Sequence, residues 1–371
     1  MFTRAVEPVI PQIAGDFKIE LATAALLSSA YTFPYALVQP VLGTIGDIFG
    51  KTRLMNVALL IVSLAALICA VVTDFRLLVV MRIATGLVAG GVFPAAMALV
   101  GDLVPMHQRQ VAIGRILAIG LTGNLLGASI SGVIGDLFGW RGIFVALGAF
   151  GLTVAISAFF AFRGVVSIAP KSFSLAAVAG GFSSVFADPR AKVCFGAVFF
   201  EAIFIQGLFP YVAILLLATG ETRASMAGLV IAGFGLGGVI YSLSIPALIA
   251  RIAERRLMII GGALAAIAMV LAAAEFPWYA QAGVFFLLGF GFYLLHGSIQ
   301  VHVTELSQTA RGTAASLHSC FFYLGQATGP VVYSVGFAHD EGVATILIGA
   351  GVVLAVGLIC ARLLRHRRAS H

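Results

Sequence analysis

Charged residues are scarce in this sequence. They make up 10% of its 371 residues, whereas about a quarter of the residues are charged in a typical soluble domain. Hydrophobic residues make up 61%, and the mean hydropathy is +1.08. A chain with so few charges cannot cover a globule with a solvated surface, so the composition excludes an ordinary soluble domain.

Several chemical signatures are also missing. There is no Gly-x-x-x-x-Gly-Lys-Ser/Thr loop to hold nucleotide phosphates, so ATP is not expected to drive the protein directly. No cluster of His, Cys, Asp and Glu has metal-ligand spacing, and Cys69, Cys194, Cys320 and Cys360 all lie in apolar runs. These absences predict a protein that is not an enzyme and that needs no cofactor or metal.

Long runs of apolar residues recur along the whole chain. A membrane-spanning helix needs about 20 apolar residues, whereas a strand of a membrane barrel needs about 10 of alternating polarity. The runs are uninterrupted, which predicts helices in a lipid bilayer. We expect eleven full spans, at residues 21–46, 54–73, 76–100, 110–134, 142–163, 193–218, 225–248, 257–275, 278–304, 312–336 and 342–364. Residues 1–17 are apolar but too short to cross alone, and we interpret them as the outer part of a twelfth helix.

Basic residues are unevenly divided between alternate loops. Lys and Arg accumulate on the cytoplasmic side of short loops. One set of loops, with the tail, carries sixteen: Lys51, Arg53, Arg109, Arg115, Arg163, Lys171, Arg190, Lys192, Arg251, Arg255, Arg256, Arg311, Arg362, Arg365, Arg367 and Arg368. The other set carries four: Lys18, Arg76, Arg141 and Arg223. This bias predicts an inner-membrane protein with a cytoplasmic C-terminus, and it explains the net charge of +7 without a nucleic-acid partner.

The two halves of the chain resemble each other. Arg109, Gly123 and Gly127 recur as Arg311, Gly325 and Gly329, and Pro8 recurs as Pro210, all shifted by 202 residues; Gly86 recurs as Gly289, shifted by 203. We therefore predict an N-terminal six-helix bundle at 1–163, a cytoplasmic linker at 164–192, and a C-terminal six-helix bundle with a basic tail at 193–371. The offset also predicts that the first helix is truncated and lacks its inner third. Parallel repeats of this kind are a known transporter architecture with the substrate site between the halves.

The charged turn GTIGDIFGKTR at 43–53 resembles the signature between the second and third helices of the major facilitator superfamily. Gly43, Asp47, Gly50, Lys51 and Arg53 fit the pattern, while Ile48 replaces a usual basic residue. Three further stretches resemble features of that family: Arg82 with Gly86, GDLVPMHQR at 101–109, and WRGIF at 140–144. The resemblance implies an all-α membrane fold of two six-helix bundles and transport by alternating access.

The same resemblance implies a latch at the cytoplasmic face. It places Asp47 beside the start of the eleventh helix, just after Arg311, where a carboxylate is attracted to a helix N-terminus. We expect Asp102 to pair with Lys51 or Arg53, with Arg109 nearby, while Gly43 and Gly50 permit close approach and a tight turn. The alternative is a solvated turn that only fixes orientation.

Few ionisable groups lie at membrane depth, where they usually face a partner or a watery cavity. Glu7, Arg82 and Glu201 are expected on the first, fourth and seventh helices, which line the cavity in the family. Glu7 and Arg82 either form an ion pair or take part in proton or substrate transfer. Glu201 has no evident basic partner; since burial favours the neutral carboxyl, it is a candidate proton carrier or substrate contact, or else a packing hydrogen-bond group.

The tenth span carries Tyr293, His296 and Gln300 on one face at helical spacing, and we expect that face to line the cavity. Substrate contact and packing hydrogen bonds both remain open for these three residues. The fifth span contains GNLLGASISG at 123–132, which partly resembles the signature of drug–proton antiporters, and small residues at this spacing also simply allow close helix packing.

These observations predict a secondary transporter that acts as a monomer on a small molecule, with the proton as coupling ion. Proton-coupled efflux of a small organic compound is the preferred interpretation. Uptake or facilitated diffusion of a sugar or organic acid is the alternative, and a membrane sensor or scaffold that has lost transport is the second alternative.

Overall fold

The computed structural model describes residues 2–163, 175–307 and 310–364. The side chains of residues 40–49 and 175–178 and of several residues between 94 and 125 lie outside this description. The described chain is helical, and eight of its helices are long and apolar enough to cross a membrane.

The first half begins with a short span and continues with longer helices. A 3₁₀ turn at Glu7–Val9 leads into α1 (Ile10–Phe17). The helices that follow are α2 (Leu21–Phe49), α3 (Lys51–Val71), α4 (Phe75–Ala89), α5 (Val92–Leu103) and α6 (Met106–Ala161). Helix α6 contains two successive spans that meet at Gly139, where a φ of 69° breaks the helical path.

The second half repeats this order. A helix in the segment between the halves, α7 (Leu175–Phe186), is followed by α8 (Arg190–Phe204), a 3₁₀ segment (Gln206–Tyr211) and α9 (Val212–Ala218). The remaining helices are α10 (Ala224–Ile249), α11 (Glu254–Ala272), α12 (Trp278–Thr304), α13 (Arg311–Ala338) and α14 (Gly342–Leu363).

Helix starts confirm the repeat. Helices α2, α3 and α4 begin at residues 21, 51 and 75, and α10, α11 and α12 begin at 224, 254 and 278, so each start is shifted by 203. Close packing repeats as well. A Cβ added to Gly86 would lie 2.1 Å from the carbonyl oxygen of Tyr31, and one added to Gly289 would lie 2.0 Å from that of Phe234. The architecture is therefore two six-helix bundles related by a parallel pseudo-two-fold repeat.

Two predicted spans are interrupted. The fourth was expected to be continuous over 76–100, but α4 ends at Ala89 and α5 begins at Val92, with Gly90 and Gly91 between them. A Cβ at Gly90 would lie 2.9 Å from the carbonyl oxygen of Tyr35, so this helix bends where its backbone packs closely against α2. The seventh was expected to be continuous over 193–218, but it tightens into a 3₁₀ segment around Pro210, which cannot donate a backbone hydrogen bond.

The two halves meet along two helix pairs, α2 with α13 and α6 with α10. Ser29 of α2 donates to the carbonyl oxygen of Ala327 at 2.7 Å. Gly132 and Gly228 bring α6 and α10 together, since a Cβ at either glycine would come within 2.7 Å of a carbonyl oxygen on the other helix. This contact supports close packing as the role of the small residues at 123–132.

The two ends of the bundle differ in charge. We call the end that carries Lys51, Arg53, Arg190 and Arg311 the basic end. At the opposite end Asp136 accepts from the backbone N–H groups of Ala224 and Ser225, at 2.7 and 2.9 Å, and so caps α10 from the other half. These contacts hold the two halves together at the opposite end.

Candidate functional site

The buried carboxyl of Glu201 has a partner that the sequence did not reveal. Glu201 lies on α8 with no exposed surface, and its Oε1 shares a hydrogen bond with Nδ1 of His296 on α12. The expectation that Glu201 has no basic partner was wrong, because the depth of His296 relative to Glu201 is set by how α12 packs against α8. Oε2 of Glu201 has no hydrogen-bond partner among the described residues.

A second histidine, His318, completes this group and was missed. It lies on α13, 5% exposed, with its ring centroid 5.0 Å from that of His296. His318 is seven residues before Gly325, or two helical turns, and Gly325 packs against the backbone of α8. That spacing was the signal that could have placed His318 on the face directed toward Glu201.

The first half contributes a second polar group. Arg4 donates to Oε1 of Glu7 at 2.9 Å and to Oε1 of Gln206 in the other half. The guanidinium of Arg4 lies 4.2 Å from the ring centroid of Phe209. Residues 4 and 206 are separated by the repeat offset of 202, so a bond between them lies on the pseudo-two-fold axis.

Of the two roles predicted for Glu7 and Arg82, the direct ion pair is wrong, because Glu7 is paired with Arg4 instead. A role in proton or substrate transfer stays a prediction. Arg82 is buried on α4, 1% exposed. Its guanidinium lies 4.3 Å from the ring centroid of Tyr31, and its Nη1 donates to the carbonyl oxygen of Phe2 at 3.4 Å. Arg4 was missed although it lies within residues 1–17, which are interpreted above as part of the first helix.

Aromatic rings connect Arg82 with the pair of Glu201 and His296, and we call this connection the aromatic row. From Tyr31, the ring centroids follow at 5.9 Å (Tyr35), 4.6 Å (Tyr323), 5.3 Å (Phe322) and 5.3 Å (His296). Tyr31 and Tyr35 belong to α2, whereas the other rings belong to α13 and α12. The row therefore crosses from one half to the other, with Arg82 at one end and Glu201 at the other.

Of the three residues predicted on one face of α12, two lie among the other residues of the site and one does not. Tyr293 and His296 are half-buried, and Tyr293 packs 6.0 Å from Tyr241, centroid to centroid. Gln300, one turn further toward the basic end, is exposed and makes no hydrogen bond with the described residues. The exposed fraction of the side chains on this face is thus larger toward the basic end. Tyr211 is fully buried and donates to the carbonyl oxygen of Pro330 at 2.8 Å, which is a packing role.

The predicted latch is only partly within the described residues. The side chains of Gly43, Asp47, Asp102 and Arg109 lie outside them, so their pairing stays a prediction. Gly50 has a φ of 89° and forms the turn between α2 and α3.

Three basic residues of the latch are described. Lys51 is half-buried and Arg53 is exposed. Arg311 is also exposed and begins α13, as the predicted docking of Asp47 requires.

Ion pairs connect residues of the second half at the basic end. Nη1 of Arg190 lies 3.1 Å from Oε2 of Glu305, and Nη2 lies 3.0 Å from Oδ2 of Asp188. Nε2 of His302 lies 3.6 Å from Oε1 of Glu254.

At the opposite end, in the loop after α9, Arg223 donates to both carboxylate oxygens of Glu221, at 2.9 and 2.7 Å. These hydrogen bonds lower the pKa of Glu221 to about 2. Arg223 is exposed, Glu221 is half-buried, and the pair stabilises the loop before α10.

No described group of three or more His, Cys, Asp and Glu residues is arranged to hold a metal ion. The four cysteines are buried thiols. What the geometry brings together between the halves is the aromatic row, two guanidiniums (Arg4 and Arg82) and two buried carboxyls (Glu7 and Glu201).

A family model and curated relatives match this chain over nearly its full length. The family model described as Major Facilitator Superfamily matches residues 1–330 and, in an overlapping match, 194–371. Multidrug resistance protein 2 of Bacillus subtilis (strain 168) is 26% identical over 360 residues, which cover 95% of this chain and 88% of that protein. Quinolone resistance protein NorA of Staphylococcus aureus (strain COL) is 24% identical over 365 residues, covering 95% and 91%.

Two solved structures share the fold. The nucleoside transporter NupG aligns with a TM-score of 0.78 at 13% identity, covering 98% of this chain and 96% of that one. A bacterial homolog of the human lysosomal transporter Spinster, in an inward-facing and unoccupied conformation, aligns with a TM-score of 0.70 at 19% identity, covering 97% and 91%.

Proposed function

Because the chain belongs to the major facilitator superfamily, we propose that it is a secondary active transporter that exports small organic compounds in exchange for protons. The observation that most directly supports proton coupling is the buried pair of Glu201 and His296. Export is supported by the two relatives, whose names state multidrug and quinolone resistance.

The pair has the properties that exchange requires. A carboxyl with no exposed surface gains or loses a proton only when its surroundings change, because burying an unpaired charge is costly. Glu201 can share its proton with His296, or release it and hold a cationic group of the substrate. Proton and substrate then compete for one site, and this competition couples their opposite movements.

The site is proposed to open toward the basic end. Asp136 and the glycines of α6 and α10 close the opposite end, whereas the face of α12 becomes more exposed from Tyr293 to Gln300. We propose that the basic end, and with it the C-terminus, is cytoplasmic, as the distribution of Lys and Arg favours. The conformation is then an inward-open one that takes up substrate from the cytosol.

The experiment is accumulation of a fluorescent aromatic cation in inside-out vesicles with an imposed acid interior. The wild-type protein should accumulate it, and Glu201→Gln should abolish the gradient-driven part while leaving binding measurable. Glu275→Gln is a matched control, since Glu275 is exposed in the loop between α11 and α12. Gradient-driven accumulation by Glu201→Gln equal to that of the control would show that Glu201 is not the proton carrier.

A further inference from the structure

Three titratable side chains of the second half, which we call the proton group, lie at different depths. They are Glu201 on α8, His296 on α12 and His318 on α13. Counted from the basic-end terminus of their own helices, Arg190, Thr304 and Arg311, they lie about 16, 12 and 10 Å deep at the helical rise. Both histidines are therefore nearer the basic end than the carboxyl is.

The members of the proton group follow one another in contact. Oε1 of Glu201 shares a hydrogen bond with Nδ1 of His296. The ring of His296 lies 5.0 Å, centroid to centroid, from the ring of His318. An imidazole that is engaged at Nδ1 keeps Nε2 for a second proton transfer. The group thus forms a continuous series from Glu201 through His296 to His318.

His318 has an unused proton acceptor. Its side chain is 5% exposed, and its Nε2 is buried without a hydrogen-bond partner among the described residues. With its own proton on Nδ1, an imidazole presents Nε2 as an acceptor. At the observed separation of the rings, a nitrogen of His296 can reach this acceptor directly, after a rotation of the ring, or through one water molecule.

The internal repeat shows that helix packing alone does not require the two imidazoles. At the offset of 202 the counterpart of His318 is Ile116, and at the offset of 203 the counterpart of His296 is Phe93. The first half therefore fills the equivalent places with apolar side chains. Burying a polar nitrogen without a partner is unfavourable, so a histidine at position 318 points to a role in proton chemistry.

His318 interacts electrostatically with His296. Beside the proton group, the neighbouring helices present thiols and phenols, namely Cys194 on α8, Cys360 on α14, and Tyr31 and Tyr35 on α2. Phenols and thiols in apolar surroundings stay protonated near neutral pH. The cation at the start of α8, Arg190, is engaged by Asp188 and Glu305. The transferable proton is therefore left to the three members of the group.

We propose that His318 accepts the proton that leaves the pair of Glu201 and His296 and passes it to the basic end. The inference rests on the proposed function, since it deepens the proton-exchange step. The carboxyl proton of Glu201 moves to Nδ1 of His296, while the proton on Nε2 of His296 moves to Nε2 of His318. One proton is transferred in total: Glu201 becomes a carboxylate, His318 becomes an imidazolium, and His296 stays neutral in its other tautomer. Water at the basic end then takes the proton from His318.

In the competing arrangement His318 is a packing residue. Its ring is tilted by 56° against that of His296, and the proton leaves the pair to water without passing through it. A substitution of similar size then changes stability, or all modes of transport together, and has no particular effect on the proton-driven step.

Two modes of transport separate these arrangements. In inside-out vesicles with an acid interior, accumulation of tritiated ethidium, a permanently charged aromatic cation, requires release of protons at the basic end. Without a gradient, exchange of tritiated for unlabelled ethidium requires only that the loaded site alternates between the two sides. His318→Gln keeps an amide for hydrogen bonding but carries no proton. It should slow accumulation at saturating ethidium by about 10-fold or more, because positioned proton transfer contributes at least that much, and it should leave exchange and the half-saturating ethidium concentration unchanged.

His339→Gln is the matched control. It makes the same substitution at an exposed histidine just after α13, at the opposite end of the bundle, and it should leave both modes unchanged. Should His318→Gln fail to fold, His318→Asn takes its place, since its amide lies near the position of Nδ1. Equal slowing of both modes by a folded variant, or accumulation equal to that of the control, would overturn the proposal.

The same measurements keep the two proposals apart. If the wild-type protein accumulates ethidium with the gradient and the folded His318 variants match it, the proposed proton exchange stands and the role of His318 fails. If the wild-type protein exchanges ethidium but the gradient drives no accumulation, the proposed proton exchange fails and the role of His318 fails with it.

Discussion

The close contact at Gly289 allows a quantitative test of the helix packing. In Gly289→Ala the new Cβ would lie 2.0 Å from the carbonyl oxygen of Phe234 and 2.7 Å from its carbonyl carbon. Ordinary contacts begin at 3.4 Å, so α12 and α10 would have to separate by roughly 1.4 Å along that line. Both atoms belong to the backbone, and no side-chain rotation can relieve the overlap.

The magnitude follows from a comparison with a second glycine in the same helix. A Cβ at Gly283 would meet nothing within 4 Å, so Gly283→Ala only gains helix propensity, up to about 1 kcal/mol. Gly289→Ala gains the same propensity but adds overpacking, which typically costs about 1–3 kcal/mol. Their difference isolates the clash and corresponds to about a 5- to 150-fold change in the unfolding equilibrium.

The assay is the fraction of detergent-solubilised protein that remains monodisperse by size-exclusion chromatography after heating. Gly289→Ala should lose this fraction at a temperature several degrees below Gly283→Ala. Because of the repeat, Gly86→Ala should behave like Gly289→Ala. If Gly289→Ala and Gly283→Ala lost structure at the same temperature, the described approach of α10 and α12 would be refuted.

Three further outcomes are expected. Asp136→Ala removes the cap on α10 and a contact between the halves, so it should cost about 1 kcal/mol of stability. It should also increase the labelling, by a membrane-impermeant thiol reagent, of a cysteine introduced at the opposite end. Unchanged labelling would contradict the closed opposite end. Ser29→Ala removes a hydrogen bond between the halves and should lower thermal stability by about 1 kcal/mol, whereas Ser244→Ala, which loses a bond only within exposed helix surface, should be neutral. Arg190→Ala should destabilise the second half more than Arg190→Lys, which keeps the charge facing Glu305; equal melting temperatures of the two variants would argue against that ion pair.

The fold was largely predictable from the sequence because membrane burial imposes strong patterns. Apolar runs identified the spans, and the recurrence of Pro8 and Gly86 in the second half identified the repeat. The interruptions were not predictable in detail, since the break at Gly90 depends on how closely α2 passes, and that distance is a property of the packed bundle.

The site was predictable by residue type but not by pairing. Rare ionisable residues in apolar helices are conspicuous, so Glu7, Arg82 and Glu201 were identified. Their partners depend on the relative depth and rotation of different helices, which one sequence does not specify. This is why Arg4 was found in place of Arg82 as the partner of Glu7, and why His296 was identified but not paired with Glu201.

The bond between Arg4 and Gln206 has a consequence for how such a site can arise. Two identical subunits that meet on a symmetry axis must place the same residue there twice, so an arginine would face its own copy and a glutamine would bring no charge. Fusion of the two copies into one chain removes that restriction, because each can then change alone. An arginine that faces a glutamine across the axis is therefore not available to a symmetric pair of identical subunits.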